Sequence, residues 1–283
     1  MKNHYLTILS LASLAVLAGC ASNGNNQNAQ NDTEQQSAQY VDDGIDWEKP
    51  LYSLDKMGDT STVYQYNASG KLVKVSYYSD NSEESYSTYY YDAAGNDTSC
   101  VSEDLEIGSY SKQFDSQNRV IAYKTHDLSS DVTSTYRYEG NKKITESESY
   151  SEEIYKDVIE TYFDADGNDT LEIDKSQLVR RADETEPDYT VKPDIYTTRF
   201  TYVTINGKKV LKSSITNKET KDGQKFVSFK KDNEYDQYGR LTKSICVSDY
   251  GDGDPTRTST YTYSYDGNCK IEDNGYKTYY AKK

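Results

Sequence analysis

Cys20 is the residue whose neighbours most clearly set up a reaction. It follows Leu17, Ala18 and Gly19; the small side chains at 18 and 19 let a peptidase hold the backbone extended, and the thiol is a nucleophile able to take up a diacylglyceryl group. The other candidates are weaker. His4 and His126 are the two histidines, and His126, beside Asp127, reads as a surface residue beyond a strand end. With so little imidazole, His-rich metal sites are excluded, and no G-x-S-x-G, H-E-x-x-H or phosphate-binding glycine loop is present. Paired carboxylates could hydrolyse a glycosidic bond, but among 47 acidic residues sequence spacing singles out no pair. The oxygens of Asp164-Ala165-Asp166-Gly167-Asn168-Asp169 and of Asp249-Tyr250-Gly251-Asp252-Gly253-Asp254 could face calcium. The first stretch lacks the EF-hand placement of glycine and of a closing glutamate, so turn chemistry is expected there. No catalytic residue, metal ligand or cofactor is assigned.

The elements around Cys20 give it meaning. Lys2 precedes an apolar run from Leu6 to Leu17 and the small-residue end, the three zones of a signal peptide. That run falls short of the roughly 20 residues of a spanning helix, and no later stretch approaches it. Leu17-Ala18-Gly19-Cys20 resembles the bacterial lipobox, which implies cleavage before Cys20 and lipid on its sulfur. Several acyl chains, each buried methylene contributing about 0.8 kcal/mol, would make a lasting anchor. Ala21, which is not Asp, implies by the same resemblance the outer membrane in a host with two membranes. Residues 21–39 are dominated by Asn and Gln and cannot bury enough to fold. The expected organisation is a signal peptide over 1–19, a lipidated tether over 20–39 and one domain over 40–283.

The net charge of −15 argues against nucleic acid and anionic lipid as partners. Tyr accounts for 30 residues, so the aliphatic core is thin and a tyrosine-covered sheet fits better than a thick globule. Cys100, Cys246 and Cys269 each sit in a strand-like context, where a free cysteine acts as a small hydrophobe. Cys246 and Cys269, on neighbouring repeats, are the candidate disulfide pair.

A repeat runs through the domain: Tyr66-Asn67, Tyr91-Asp92, Phe114-Asp115, Tyr138-Glu139, Phe163-Asp164, a degenerate Tyr202 to Lys208, Tyr235-Asp236 and Tyr265-Asp266. Before each turn aromatics recur at every second residue, the period of a half-buried strand. Asp or Asn then opens a turn and Gly, or Asn118, takes the left-handed position. Lys, Arg or Asn with a following aliphatic residue starts the return strand. The first turn positions, Asn67, Asp92, Asp115, Glu139 and Asp164, are two strands apart. Residues 177–198, with Pro187 and Pro193, read as a loop insertion and a candidate seam. Helix is expected to be minor, at most one short piece near Trp47–Met57.

Tyr235-Asp236-Gln237-Tyr238-Gly239-Arg240-Leu241 resembles the YD repeat of the bacterial Rhs family, and looser copies cover about residues 60–270. The resemblance implies an all-β antiparallel sheet of successive hairpins; encapsulation of a toxin is not implied, since the chain has no room for that segment. The expectation is a surface-anchored, non-enzymatic lipoprotein of the cell envelope that binds a protein or a glycan. Two alternatives stand beside it: a secreted carboxylate-dependent hydrolase and an envelope-structural lipoprotein without a specific ligand.

Overall fold

The computed structural model describes residues 43–283 apart from 81, 105–107 and 252–254; the signal segment, Cys20 and the tether lie outside the described residues. Among the described residues every regular element is a strand. In chain order they are β1 (Ile45–Leu54), β2 (Thr60–Tyr66), β3 (Leu72–Ser79), β4 (Ser82–Tyr91), β5 (Asp97–Ser102), β6 (Ser109–Phe114), β7 (Val120–His126), β8 (Asp131–Glu139) and β9 (Lys142–Tyr150). They continue as β10 (Ile154–Phe163), β11 (Asp169–Arg180), β12 (Asp194–Ile205), β13 (Lys208–Glu219), β14 (Lys225–Tyr235), β15 (Leu241–Ser248), β16 (Arg257–Asp266), β17 (Cys269–Glu272) and β18 (Lys277–Lys282).

Each strand pairs antiparallel with the next, and β18 returns to pair with β1. The expected hairpin sheet is therefore closed into an 18-stranded barrel, which leaves no edge with unpaired backbone groups. The short helix expected near Trp47–Met57 does not form. Residues 45–54 are β1, which serves both β2 and β18, and two interstrand ladders outweigh local preference. Trp47, Glu48 and Lys49 leave the register between Asp46 and Pro50, a place where a proline without an N–H is tolerated. Across the insertion, β11 and β12 pair from Leu171↔Arg199 to Ser176↔Asp194. The sheet is continuous there, and residues 181–193 form a connection at its end.

In an up-and-down barrel alternate connections share a rim, so all eight repeat turns lie at one end. Their chemistry is local: Asp236 Oδ1 accepts the N–H of Tyr238 at 2.9 Å and of Arg240 at 3.0 Å, while Gly239 takes φ +75°. Asn118 fills the equivalent place at φ 59°, a conformation Asn tolerates better than most residues. The chain enters and leaves at this same rim, where Lys283 N donates to Gly44 O at 3.0 Å.

The return strands β3, β5, β7, β11 and β15 open with a β-bulge, and β13 carries one a few residues in. Glu234 faces Lys243 and Tyr235 faces Leu241, so Thr242 is extra. A bulge disrupts the ladder locally, and the Leu241 carbonyl accepts the Tyr265 hydroxyl of the following repeat at 2.8 Å. The same bond joins Tyr91 to Leu72 O at 2.7 Å, Tyr138 to Val120 O at 3.0 Å and Tyr235 to Leu211 O at 2.6 Å. Above the ring stands the basic residue that precedes the bulge: Arg240 lies 4.4 Å from the Tyr265 centroid, Arg119 4.5 Å from Tyr138 and Lys71 5.0 Å from Tyr91. Tyrosine, acid, glycine, base and aliphatic residue thus each have a separate task, and the tyrosine's task is in the neighbouring repeat.

The inner face carries Val75, Ser87, Cys100, Ser134, Thr145 and Thr161, all buried, with tyrosine rings between them. The outer face at mid-strand carries Arg137, Glu146, Lys175, Arg199 and Lys230. The candidate disulfide is absent: Cys100, Cys246 and Cys269 are free. Cys246 pairs with Ser259 and Cys269 with Asp266; these two partners lie an odd number of residues apart on β16, so the cysteines point to opposite faces with a strand between them.

Replacing Tyr91 with Phe keeps the ring under Lys71 but leaves the Leu72 carbonyl without the hydroxyl. The expected loss is about 1 kcal/mol, read as a Tm lowered by about 2 to 4 °C in thermal denaturation. An unchanged Tm would show that water replaces the hydroxyl at no cost.

Candidate functional site

The inner wall formed by β9 to β13 gathers acids that the repeat does not require. Asp157 on β10 faces Ser147 and Ser176; on β11, Asp174 faces Ile159 and Tyr196, and Glu172 faces Thr161 and Thr198. Alternation along a strand puts all three on the inner face, with Asp157 and Asp174 as diagonal neighbours, a separation of roughly 7–8 Å between such positions. Asp157 Oδ1 and Asp174 Oδ1 are both buried without a hydrogen-bond partner.

Burial disfavours the charged form. It pushes the Asp174 carboxyl up to about 7, with the charges of Asp157 and Glu172 adding to the effect. Asp157 is raised by burial against a lowering hydrogen bond from Ser176. Glu172 is raised by burial and then by Asp169, with Lys143 acting in the opposite direction. A carboxyl that exchanges its proton near neutral pH is the group general acid catalysis needs. The cations on this wall have other engagements: Lys218 pairs with Asp194 at 2.8 Å, and Lys143 stands 6.0 Å from the Tyr136 ring.

An aromatic arc continues the inner wall. Tyr89 and Tyr110 are 6.5 Å apart and Tyr110 and Tyr123 5.7 Å apart between ring centroids. Asp97 accepts from the Tyr110 hydroxyl and pairs with Lys112 at 2.7 Å. Burial, followed by that hydrogen bond, raises the Tyr110 hydroxyl far above the ordinary phenol range. Tyrosines and acids thus share the inner face of the 18-stranded barrel.

The residues singled out in the sequence fall elsewhere. Cys20 is outside the described residues. His126 Nδ1 lies 2.5 Å from Asp131 Oδ1 with both side chains well exposed, at the rim opposite the repeat turns and away from the inner acids. At the stretch considered for calcium, Asp164 receives backbone and side-chain N–H groups of Asn168, and Lys209 Nζ sits 2.6 Å from Asp164 and 3.1 Å from Asp166. An ammonium from the next hairpin therefore occupies the cation position, and its hydrogen bond first of all holds the Asp164 carboxyl well below the usual range. Asp249 Oδ1 accepts Gly251 N at 2.9 Å; the acids that follow it lie outside the described residues. Asp157, Glu172 and Asp174 had only a faint sequence signal, since Asp157 stands in phase with the inward Tyr155 while Tyr162, outward on the same strand, blurs that phase.

No protein-family model matches this chain, and no curated protein does. Among solved structures, a porin-like protein from Bacteroides vulgatus is similar at 9% identity and a TM-score of 0.46, over 77% of this chain and 98% of that one. A porin-like protein from Bacteroides uniformis is similar at 11% identity and a TM-score of 0.37, over 78% and 89%. A TcdB2–TccC3 structure follows at 16% identity and a TM-score of 0.24, over 76% of this chain and 14% of that one.

Folding raises the pKa values of Asp157, Glu172 and Asp174, so the folded barrel retains protons that the unfolded chain has released. The contribution of Asp174 is full at or below about pH 4 and is lost as pH rises through about 7, and those of Asp157 and Glu172 are lost in the same direction. Thermal denaturation should give a higher Tm at pH 5 than at pH 8, with a smaller difference in Asp174→Asn. Identical pH dependence in the two proteins would place Asp174 in contact with bulk water.

Proposed function

We propose that this protein is a lipid-anchored β-barrel scaffold of the bacterial cell envelope, held through Cys20 and standing in water, where it binds a protein or a glycan. The observation that carries the reading is the outer face. A membrane-embedded barrel shows lipid an apolar band about 25 Å tall, and charges at its middle cost about 2–4 kcal/mol each. Here Glu146 and Lys175 both face Val158 on opposite sides, and Ile215 lies between Arg199 and Lys230, so charges sit along the middle of the wall. Such a wall favours water, and attachment then falls to the lipidated cysteine.

The test is localisation of the full-length chain in its host. Native protein should partition with membranes, incorporate labelled palmitate and be released by detergent but not by salt. Cys20→Ser should abolish the label and move the protein to the soluble fraction. Retention of Cys20→Ser in the membrane after a salt wash would mean that the barrel itself inserts.

A second reading, a secreted hydrolase, is favoured by one observation: Asp157, Glu172 and Asp174 converge with raised pKa values. It requires hydrolysis of an envelope glycan by the native chain and a loss of at least about 100-fold in Asp174→Asn, the scale of a general acid. Equal product release by native and variant chains would dismiss it.

A further inference from the structure

The connection 181–193 departs from the repeat, and its backbone is fastened down. Gln177 Nε2 donates to Tyr189 O at 3.0 Å and to Val191 O at 2.6 Å, and Asp188 N donates to Val179 O. Arg180 Nη2 reaches Ser151 O and Glu152 O, each at 3.3 Å, in the neighbouring turn. The connection is thereby folded against the end of β9 and β10 at the rim opposite the repeat turns. It brings Tyr189 beside Tyr150: Tyr189 donates to Glu148 Oε1 at 2.7 Å, and Glu148 stands two residues before Tyr150 on the same face of β9, where its carboxylate raises the Tyr150 pKa. Both rings stay open to solvent, Tyr189 at 52% and Tyr150 at 45% exposed, and Leu128 in the adjoining turn is 66% exposed.

Two fixed, exposed aromatic rings beside an exposed leucine make an anchoring surface, since a ring already held in place loses little entropy on binding. The charge around it selects the occupant. The connection carries Asp183, Glu184, Glu186 and Asp188 against Arg181 and Lys192, and the neighbouring turn adds Glu152 and Glu153. At the repeat-turn rim three acids are answered by bases: Asp115 by Arg119, Asp164 by Lys209 and Asp236 by Arg240. Lys156 Nζ, 5.7 Å from the Tyr189 ring, already shows a cation associating with this platform.

We infer that Tyr150, Glu148 and Tyr189 form a docking platform for a lysine- or arginine-bearing segment of a partner protein. Its cations lie over the two rings and face the surrounding carboxylates, and its apolar side chains cover Leu128. This rests on the reading of the barrel as a binding scaffold and names the surface and the class of partner.

The test uses the full-length chain with Cys20→Ser, in solution, and three probes: a peptide alternating Leu and Lys, its Leu and Glu counterpart, and purified peptidoglycan fragments. The Leu–Lys peptide should bind at least about tenfold tighter than the Leu–Glu peptide and weaken as salt is raised. Tyr150→Ala with Tyr189→Ala should weaken it by about tenfold, the sum of two exposed cation–π contacts and their area, at unchanged near-ultraviolet dichroism. Tyr90→Ala, which removes an exposed tyrosine on another part of the wall, should leave binding as it was. Equal affinity for the two peptides, or tight Leu–Lys binding untouched by the double variant, overturns the platform; in the latter case a scaffold that binds elsewhere still stands. Saturable binding of glycan fragments with none of either peptide overturns the protein partner and keeps the scaffold.

Discussion

The barrel depends on one recurring bond, from a tyrosine hydroxyl to the carbonyl that opens the preceding bulge. A bulge bends and twists its strand, and a sheet needs that curvature to close. It also disturbs the ladder, and a buried carbonyl without a partner costs about 1–3 kcal/mol. At Leu72, Val120, Leu211 and Leu241 the following strands supply the partner, so these hairpins are completed by their successors. At Tyr91, Tyr138 and Tyr265 a base over the ring strengthens the same joint, because the cation, the ring and the carbonyl come from two adjacent repeats.

Closure uses this joint once more with different residues. Tyr66 has no repeat turn before it, yet its hydroxyl donates to Pro50 O at 2.7 Å and Lys49 Nζ stands 4.9 Å from its ring. The excursion at Trp47 to Lys49 thus reproduces a turn's base and free carbonyl inside β1. Trp47 meets the last repeat tyrosine, with ring centroids 5.0 Å from Tyr265 and 5.1 Å from Tyr280, and its indole N–H donates to Asp43 Oδ2 at 2.7 Å. Arg240 reaches the same Asp43 at 3.5 Å. The only tryptophan in the chain therefore seals the junction between the first strand and the last repeats, and a helix over these residues would leave both neighbours unpaired.

How much of this was legible in the sequence follows from the range of each interaction. Turn, glycine and alternating tyrosine act within a few residues, so hairpins, their number and the left-handed Asn118 could be read directly. Closure could not, because nothing local distinguishes a β1 that completes a ring from a capping segment. The faces of Cys246 and Cys269 depend on register carried through β16, and proximity along the repeats said nothing of it. The acids at 157, 172 and 174 were hidden for a related reason: an acid between polar residues on a strand looks solvent-facing until the phase of the whole sheet is known. The tyrosine column was expected to cover a thin core and its own neighbours; the rings at the bulges do this, and their hydroxyls tie repeat to repeat as well.

These constraints divide the surface between structure and function. Repeat turns where base answers acid, and where the tyrosine is committed to a carbonyl, have little left to offer a ligand. Two regions are released from that pattern. One is the inner wall, where Asp157 and Asp174 each keep a buried oxygen without a partner, a cost that packing alone does not require since Ser or Thr would fit the same strands. The other is the 181–193 connection, which could have been a two-residue turn like Gly140–Asn141 but instead spends Gln177 on fastening its backbone and Arg180 on the neighbouring turn, setting Tyr189 beside Tyr150 of β9. Both departures fall in the same third of the chain, on β9 to β12, and most of the remaining wall repeats a solved joint.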